Sequence, residues 1–271
     1  MSLTLYNGDC LDVMKTLPDA SVDLIICDLP YGCLTGGGIT KKETAEKYGR
    51  KGTEGISGCA WDVKIDLAAF WEQVRRIRKS DDSPTIHFAT TKFGHDLICS
   101  NEKEFRYDLV WNKQRGVSFL SANKMPMRSH EMIYIFSKAG AYYNRVDIKG
   151  DFKEWKQYGK AKTDSTYGVV NRKTPVIRPV GTITSSSDKR CVLSVINYPT
   201  SASRGGHPTE KPIDLYKFLI ERYCPAGGTV LDPTFGSGNS GAAAEALGRH
   251  YIGIEKDPGF FEKAAKNLGA E

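Results

Sequence analysis

The stretch "VLDPTFGSGNSG", Val230 to Gly241, indicates how this chain folds. A short apolar run ends at an acid and a proline, a glycine-rich turn follows, and an alanine-rich segment continues to Gly248. This order is typical of a β-strand, a tight turn and an α-helix in a doubly wound sheet. Gly236 and Gly238 would let a ligand approach the backbone of the turn, although tight turns also use glycine for steric reasons alone.

A second acid favours a nucleoside site at this turn. "RHYIGIEKD" is typical of the next strand, and its acid, Glu255, follows Asp232 at about the 20-residue distance from which a carboxylate accepts hydrogen bonds from ribose hydroxyls. The turn lacks the G-x-G-x-x-G spacing, and Asp232 would repel a pyrophosphate and attract an ammonium group. S-adenosylmethionine carries an ammonium and a sulfonium but no phosphate, and it therefore fits both acids.

Strand and helix patterns alternate toward both ends of the chain. "VDLIIC", residues 22–27, is typical of a buried parallel strand, and residues 66–79 predict an amphipathic helix capped by Asp66. A second helix is predicted at 212–223, and further strands in "PTIHFAT", "YDLVWNK" and "HEMIYIFSK". The alternation predicts an α/β fold with a mostly parallel, doubly wound sheet. Residues 32–60, rich in glycine and polar residues, predict a mobile loop.

A basic segment interrupts this alternation. Residues 138–190 contain 12 Lys or Arg against 5 Asp or Glu, with tyrosine, tryptophan and phenylalanine interleaved. Cations that meet phosphates and rings that stack on bases make a polyanion-binding face, while the alternative is a solvated surface insertion. The residues we predict to contact nucleic acid are Lys153, Trp155, Lys156, Tyr158, Lys160, Lys162, Arg172 and Lys173.

Composition excludes several classes of protein. The hydrophobic fraction of 40% and charged fraction of 26% are typical of a globular protein, and no apolar run approaches the roughly 18 residues that span a membrane. The first residues show no secretory signal. The seven cysteines are scattered without a C-x-x-C pair, and the five histidines are dispersed. We therefore expect a cytoplasmic protein with no metal, no disulfide framework and no membrane partner.

The stretch "ICDLPYG", residues 26–32, places an acid, a proline and an aromatic residue directly after a predicted strand. A simple turn would explain a D-x-P sequence. The alternative is that Asp28 and Tyr31 are presented to a substrate.

These motifs together resemble the β-class DNA amino-methyltransferases, which methylate the N6 of adenine or the N4 of cytosine. That family has a D-P-P-Y-type catalytic motif, then a variable target-recognition region, then an F-x-G-x-G cofactor motif. This chain has the same order, with "DLPYG" at 28–32, a basic region at 138–200, "HPTEKP" at 207–212 and "FGSG" at 235–238. It departs from the family at Leu29, where proline is usual.

The resemblance implies a circularly permuted Rossmann-like fold that uses S-adenosylmethionine and yields S-adenosylhomocysteine. Its sheet would be mostly parallel with an antiparallel strand. The implied division is a catalytic half at 1–137, an inserted target-recognition region at 138–200 and a cofactor-binding half at 201–271.

The resemblance also assigns roles. Asp28 and the carbonyl of Leu29 would accept the amino hydrogens of the base, Pro30 would keep residue 29 extended, and Tyr31 would stack on the base. Asp28 is also predicted to lie at the cofactor. The other predicted cofactor residues are Asp232, Phe235, Gly236, Ser237 and Gly238 at the methionine end, Glu255 at the ribose, Thr209 and Lys211 at the methionine carboxylate, and Asp9 and Cys10 beside the adenine ring. For "NGD", a surface turn is the alternative.

The expected activity is site-specific methylation of the 6-amino group of adenine in double-stranded DNA, with the base flipped out of the duplex. Aspartate in this motif is typical of adenine methylation, and serine of cytosine methylation. A cytosine-N4 enzyme, an RNA-modifying relative and a non-catalytic nucleic-acid-binding relative remain alternatives. The resemblance implies a prokaryotic or phage-encoded, nucleoid-associated protein. It leaves open a homodimer and a cognate restriction endonuclease.

Overall fold

The structure is a computed structural model that describes residues 2–31, 64–117, 119, 122–158, 182–200 and 210–270. For residues 151–158 and 182–187 it describes the backbone alone. The predicted mobile loop 32–60 lies outside the described residues. The chain divides into two compact units, one formed by Met1–Asn144 with Ser194–Glu271 and the other by Arg145–Leu193.

The described residues form ten strands and six α-helices. The strands are β1 (Leu3–Asn7), β2 (Leu24–Cys27), β3 (Thr85–Ala89), β4 (Phe105–Val117), β5 (Arg128–Phe136), β6 (Ile148–Tyr158), β7 (Thr182–Arg190), β8 (Val195–Asn197), β9 (Thr229–Asp232) and β10 (His250–Glu255). The helices are α1 (Cys10–Thr16), α2 (Leu67–Ile77), α3 (Thr91–Ser100), α4 (Ile213–Tyr223), α5 (Asn239–Ala246) and α6 (Pro258–Asn267).

The larger unit is built on an eight-stranded sheet with the order β1-β10-β9-β2-β3-β5-β4-β8. Strand β5 runs antiparallel to β3 and β4, and the other five pairs in this sheet are parallel. The predicted α/β class, with a mostly parallel sheet and an antiparallel strand, is confirmed. Strand β9 lies directly beside β2, so the C-terminal part of the chain is inserted between β1 and β2.

Local sequence explains where several elements begin. The predicted cap Asp66 precedes α2, and its Oδ1 accepts hydrogen bonds from the N–H groups of Ala68 at 2.9 Å and Ala69 at 3.2 Å. Helix α2 buries the apolar face that its spacing predicted, including Phe70 and Trp71. All four residues of β2 are buried, as expected for a central parallel strand.

Other elements were not predicted. Helices α1 and α3 are short and lack a long apolar period, and each is defined by a side-chain cap, Asp9 and Thr90 respectively. Strands β6 and β7 form a two-stranded antiparallel sheet within the smaller unit, where the sequence shows no apolar alternation. A ribbon of only two strands has little buried face to impose such a pattern.

The helices of the described segments are all too short or too polar to cross a lipid bilayer.

Candidate active site

Two strand ends meet at one edge of the sheet. Strands β2 and β9 are parallel neighbours, with Ile25 opposite Leu231, so the residues that follow both strands lie side by side. The carboxyl edge of a parallel sheet is where ligands bind in folds of this type. The motif at 28–31 and the glycine turn at 233–238 are thus brought together, although some 200 residues separate them in sequence.

A cavity of about 340 Å³ opens at this edge. Predicted catalytic and cofactor residues line it together: Asp9, Cys10, Asp28, Leu29, Pro30, Tyr31, Lys211, Phe235, Gly236, Ser237 and Glu255. Pockets for small molecules and cofactors begin at about this volume. The two motifs predicted separately therefore share one binding space.

Of the remaining predicted cofactor residues, one is not described and two do not line the cavity. Thr209 lies outside the described residues. Asp232 and Gly238 do not line the cavity in the described part of the chain. Gly238 is instead the N-cap residue directly before α5. Its φ is +82°, and a Cβ there would lie 3.2 Å from the Cβ of Ala264, so both backbone conformation and packing require glycine.

Asp232 supports the glycine turn from behind the cavity wall. Its side chain is 1% exposed; Oδ1 accepts from the N–H of Thr234 at 3.0 Å and Oδ2 from the hydroxyl of Ser240 at 2.6 Å. Burial raises the pKa of Asp232 to about 7, although both hydrogen bonds oppose the shift. A cation bound nearby would therefore lower this pKa and favour the ionised carboxylate.

Glu255 lies on the wall. Its Oε2 accepts from the N–H of Gly236 at 3.0 Å and its Oε1 from the N–H of Asp257 at 2.8 Å, and burial raises its pKa. Within the described ranges, neither Glu255 nor Asp232 forms an ion pair. Two acids without a cationic partner suit a ligand that carries positive charge and hydroxyl groups, which is the chemistry of S-adenosylmethionine.

Asp9 caps α1 at another part of the wall, so the surface-turn alternative for "NGD" does not describe it. Its Oδ1 accepts from the N–H of Leu11 at 3.0 Å, and its Oδ2 lies 3.0 Å from the Nζ of Lys256. Burial raises the pKa of the neighbouring Cys10 thiol to about 12, so this thiol is neutral. Phe260, which was not predicted, lines the same region.

The motif at 28–31 is anchored by its unusual residue. The side chain of Leu29 is 1% exposed and belongs to the hydrophobic core that contains Met14 and Phe93. The Tyr31 ring lies 5.1 Å from the ring of Phe93 between centroids, and the Tyr31 hydroxyl lies 2.5 Å from Asp28 Oδ1. Leucine in place of the family's proline therefore fixes the turn by packing.

Lys211, which was predicted to bind the methionine carboxylate, lines the cavity and forms an ion pair with Asp28. Its Nζ donates to Oδ2 of Asp28 and lies 3.5 Å from Oε1 of Glu131, and its side chain is 4% exposed. Burial disfavours the charged ammonium, yet the two carboxylates outweigh burial and raise the pKa of Lys211. Lys211 is thus a charged partner of Asp28.

Glu131 is the residue that sequence reasoning missed. It lies near the start of β5, is 7% exposed, and its Oε1 lies 3.0 Å from the Tyr31 hydroxyl. The single hydroxyl proton of Tyr31 is therefore shared between Glu131 and Asp28. Burial, together with these two carboxylates, raises the pKa of Tyr31 well above its usual value, so its hydroxyl stays a donor. The sequence signal that could have identified Glu131 is its position as an acid directly before the apolar run "MIYIF".

Lys113 completes this buried cluster. Its Nζ lies 2.7 Å from Oε2 of Glu131 and 4.9 Å from the centre of the Trp111 ring. Burial opposes ionisation of Glu131, but Lys211 and Lys113 lower its pKa to about 2. The cluster pairs two carboxylates with two ammonium groups. Trp111 itself is core, 1% exposed, with its Nε1 donating to the carbonyl of Tyr198 at 2.7 Å.

No group of three or more His, Cys, Asp or Glu side chains in the described part of the chain is arranged to hold a metal ion. His87 is fully buried beside the Cys27 thiol, with Nδ1 to Sγ at 3.2 Å, and burial lowers its pKa to about 3.

The predicted nucleic-acid contacts fall where side chains are not described. Lys153, Trp155, Lys156 and Tyr158 lie on β6, which is described by its backbone alone. Lys160, Lys162, Arg172 and Lys173 lie outside the described residues.

Known proteins match this chain over almost its whole length. The sequence model of the DNA methylase family matches residues 22–266. The Type II methyltransferase M.HinfI of Haemophilus influenzae is 26% identical over 275 residues, which cover 98% of this chain and 68% of that protein. The Type II methyltransferase M.HindIII, also of Haemophilus influenzae, is 26% identical over 309 residues and the match covers 98% of this chain and 95% of that protein.

Solved structures share the fold. The crystal structure of the M1.HpyAVI–SAM complex matches with a TM-score of 0.57 at 18% identity and covers 98% of both chains. The PvuII DNA methyltransferase, described as cytosine-N4-specific, matches with a TM-score of 0.61 at 16% identity, covering 98% of this chain and 86% of that one. The predicted methyltransferase fold is confirmed.

Proposed function

The chain belongs to the DNA methylase family, and on this premise we propose that its methyl acceptor is the 6-amino group of an adenine in duplex DNA. It is a site-specific DNA methyltransferase whose methyl donor is S-adenosylmethionine. The observation that carries the proposal is the shared cavity, in which Asp28 and Tyr31 face the same space as Gly236 and Glu255.

The cofactor, when bound, supplies an electrophilic methyl group on a sulfonium ion. Glu255 is placed to accept hydrogen bonds from the ribose hydroxyls, because each carboxylate oxygen has a lone pair beyond the backbone N–H that it already accepts. Asp232 supplies negative charge from behind the turn. Phe235 and Cys10 give the cavity apolar surface.

Asp28 orients the acceptor amine. An exocyclic amine is a poor nucleophile because its lone pair is delocalised into the ring, so two acceptors must draw its hydrogens aside. One is the Asp28 carboxylate, which keeps lone pairs beyond those used by Tyr31 and Lys211. We assign the other to the carbonyl of Leu29, with Pro30 keeping that residue extended. The amine proton lost on methylation then lies in a hydrogen bond to Asp28.

Tyr31 holds the base. Its ring is partly exposed to the cavity, and a stacked base contributes about 1–3 kcal/mol at comparable sites. A base inside duplex DNA cannot reach this cavity, so the enzyme flips it out at an unstacking cost of a few kcal/mol. Positioning and electrostatics then supply most of the rate enhancement.

Adenine is favoured over cytosine because the first residue of the motif is aspartate. We also propose that the segment 138–200 reads the recognition sequence, on account of its excess of Lys and Arg over Asp and Glu.

The experiment is to incubate the protein with isotopically labelled S-adenosylmethionine and a mixture of native DNA and cellular RNA, then separate the two and identify the labelled nucleoside by mass spectrometry. Labelled N6-methyladenine is the expected product. Labelled N4-methylcytosine would replace adenine by cytosine in the proposal, and labelled RNA without labelled DNA would overturn it.

The Type II relatives favour a role beside a cognate restriction endonuclease. We propose that plasmids from cells expressing this protein resist an endonuclease that cleaves the methylated sequence. Plasmids from cells expressing the Asp28→Ala variant should be cleaved.

A further inference from the structure

Strands β4 and β5 extend past the edge of the sheet that bears the active site. Strand β3 ends at Ala89, which pairs with Met132 on β5. The residues of β5 that precede Met132, and the part of β4 that pairs with them, therefore extend past the end of β3 on the side of Asp28. We call the described residues 113–117, 119 and 122–128 of this β4–β5 hairpin the hairpin tip. Lys113 and Glu131 join its base to the catalytic cluster through their 2.7 Å ion pair.

The hairpin tip exposes large apolar side chains. Phe119 is 77% exposed and Met125 is 60% exposed, while Val117 and Met127 are 41% and 38% exposed. Single exposed apolar residues are ordinary, but four on one short projection mark a contact surface.

The same projection is positively charged. Residues 113–128 contain four Lys or Arg and no Asp or Glu. Arg115 and Lys124 are exposed, whereas Lys113 is held in the catalytic cluster. Cations that flank apolar tips fit a nucleic acid, whose phosphates lie outside and whose base faces lie inside.

The base of the hairpin is held in place. A Cβ on Gly116 would lie 2.8 Å from Met127 Cε, so these residues pack closely across the two strands. Arg128 donates to the hydroxyl of Thr91 at 2.9 Å and to the carbonyl of His130 at 3.2 Å. These contacts hold the base of the hairpin beside the edge of the sheet that bears Asp28 and Tyr31.

We propose that the hairpin tip enters the DNA stack where the target base leaves it, with Phe119 and Met125 as the inserted side chains and Arg115 and Lys124 on the flanking phosphates. This inference rests on the proposed function. Flipping opens a gap between neighbouring base pairs, and apolar wedges fill such gaps in other proteins that unstack DNA. The hairpin tip supplies such wedges in the connection between the two strands that carry Lys113 and Glu131.

The insertion is tested with a 30-base-pair duplex that contains the methylated sequence, with 2-aminopurine at the target position to report flipping. Phe119→Ala/Met125→Ala should lose most of the fluorescence increase and methylate the normal duplex about tenfold more slowly. Val195→Ala, an exposed apolar change elsewhere in the sheet, is the control. Placing an abasic site opposite the target adenine unstacks that base in advance and should restore the double variant to near the wild-type rate. Unchanged flipping and methylation in the double variant, or equal loss on both duplexes, would overturn the insertion.

The phosphate contacts are tested by salt dependence on sheared native DNA, which needs no knowledge of the recognition sequence. Arg115→Gln/Lys124→Gln should reduce the slope of log Kd against log salt by about 0.9 for each phosphate that the protein no longer neutralises. Lys103→Gln, an exposed change at the opposite end of β4, should leave the slope unchanged. An unchanged slope in the double variant would show that the hairpin tip does not contact the DNA phosphates. If the wild-type protein shows a steeper salt dependence than the double variant but transfers no methyl group, the proposed function is overturned while the hairpin contact with DNA is supported.

Discussion

The ammonium group of Lys211 donates a hydrogen bond to the carboxylate of Asp28, and both groups are largely withdrawn from solvent. Lys211 follows the segment "HPTE" and precedes α4, while Asp28 directly follows β2. The pair therefore joins the two halves of the fold at the wall of the cavity. The Nζ of Lys211 also lies 3.5 Å from Oε1 of Glu131, so a second carboxylate contributes to the charge balance of the cluster.

Lys211→Met should lower kcat about 100-fold, because it removes the cation that orients Asp28 and leaves two buried carboxylates opposed by Lys113 alone. The Kd for S-adenosylmethionine should change little. Steady-state kinetics and calorimetric binding measure the two effects, and Lys217→Met, an exposed change on α4, is the control. A large loss of cofactor affinity with kcat preserved would instead place Lys211 at the methionine carboxylate.

Glu131→Gln should lower kcat about tenfold or more, as changes in supporting residues do at other sites. As pH is raised, the variant should also lose its activity at a lower pH than the wild-type protein does. Asp28 and Glu131 both raise the pKa of Lys211, so removing one carboxylate lowers that pKa, and the ammonium is lost earlier as pH rises.

Glu104→Gln is the matched control for Glu131→Gln. Glu104 is also a buried acid in ion pairs, with Arg78 at 3.1 Å, but it lies at the opposite end of β4. It should lower stability without moving the pH profile. Equal profiles for all three proteins would show that Glu131 acts only on stability.

Cofactor affinity should depend on the protonation of Asp232. Its pKa is raised to about 7 in the cofactor-free protein, and a cationic ligand favours the carboxylate, so binding should release a proton near neutral pH. The Kd should therefore fall as pH rises from about 6 to about 8. Titration calorimetry in buffers of different ionisation enthalpy measures the proton. Asp232→Asn should bind more weakly and lose this dependence; a dependence retained in the variant would assign the proton elsewhere.

Gly238→Ala should destabilise the protein by about 1–3 kcal/mol, because φ is +82° and the added Cβ would crowd Ala264 and Leu268. Gly227→Ala separates the two causes: φ is +70° there, but the Cβ would enter open space. Urea unfolding should show a smaller loss for Gly227→Ala, of about 1 kcal/mol. Equal losses would mean that packing at Gly238 contributes nothing.

The predicted parts of the fold are those with strong local signals. The glycine turn, the strand before Asp28 and the capped helix α2 each follow from a short pattern, and their order indicated the fold class. Glu131 could not be placed in this way, because its position depends on β5 running antiparallel. Only that direction brings the start of β5 to the carboxyl end of β2.

The partner of Lys211 also could not be predicted from the sequence alone. Its motif suggested contact with the cofactor, and only the packing of residue 211 against β3 and β5 places the ammonium over Phe88, at 5.2 Å from the ring centre, and against Asp28. The identity of a buried partner depends on tertiary structure that no local pattern contains. Leu29 is similar, because its burial follows from its neighbours in the core.

The central claim is that Asp28 orients an adenine amine for methyl transfer. Its most direct test is single-turnover transfer of a labelled methyl group to DNA by wild-type protein and Asp28→Ala, with S-adenosylmethionine binding and DNA binding measured on the same samples. We predict N6-methyladenine from the wild type, no transfer by the variant, and binding of both ligands largely retained. Undiminished methyl transfer by Asp28→Ala would contradict the account.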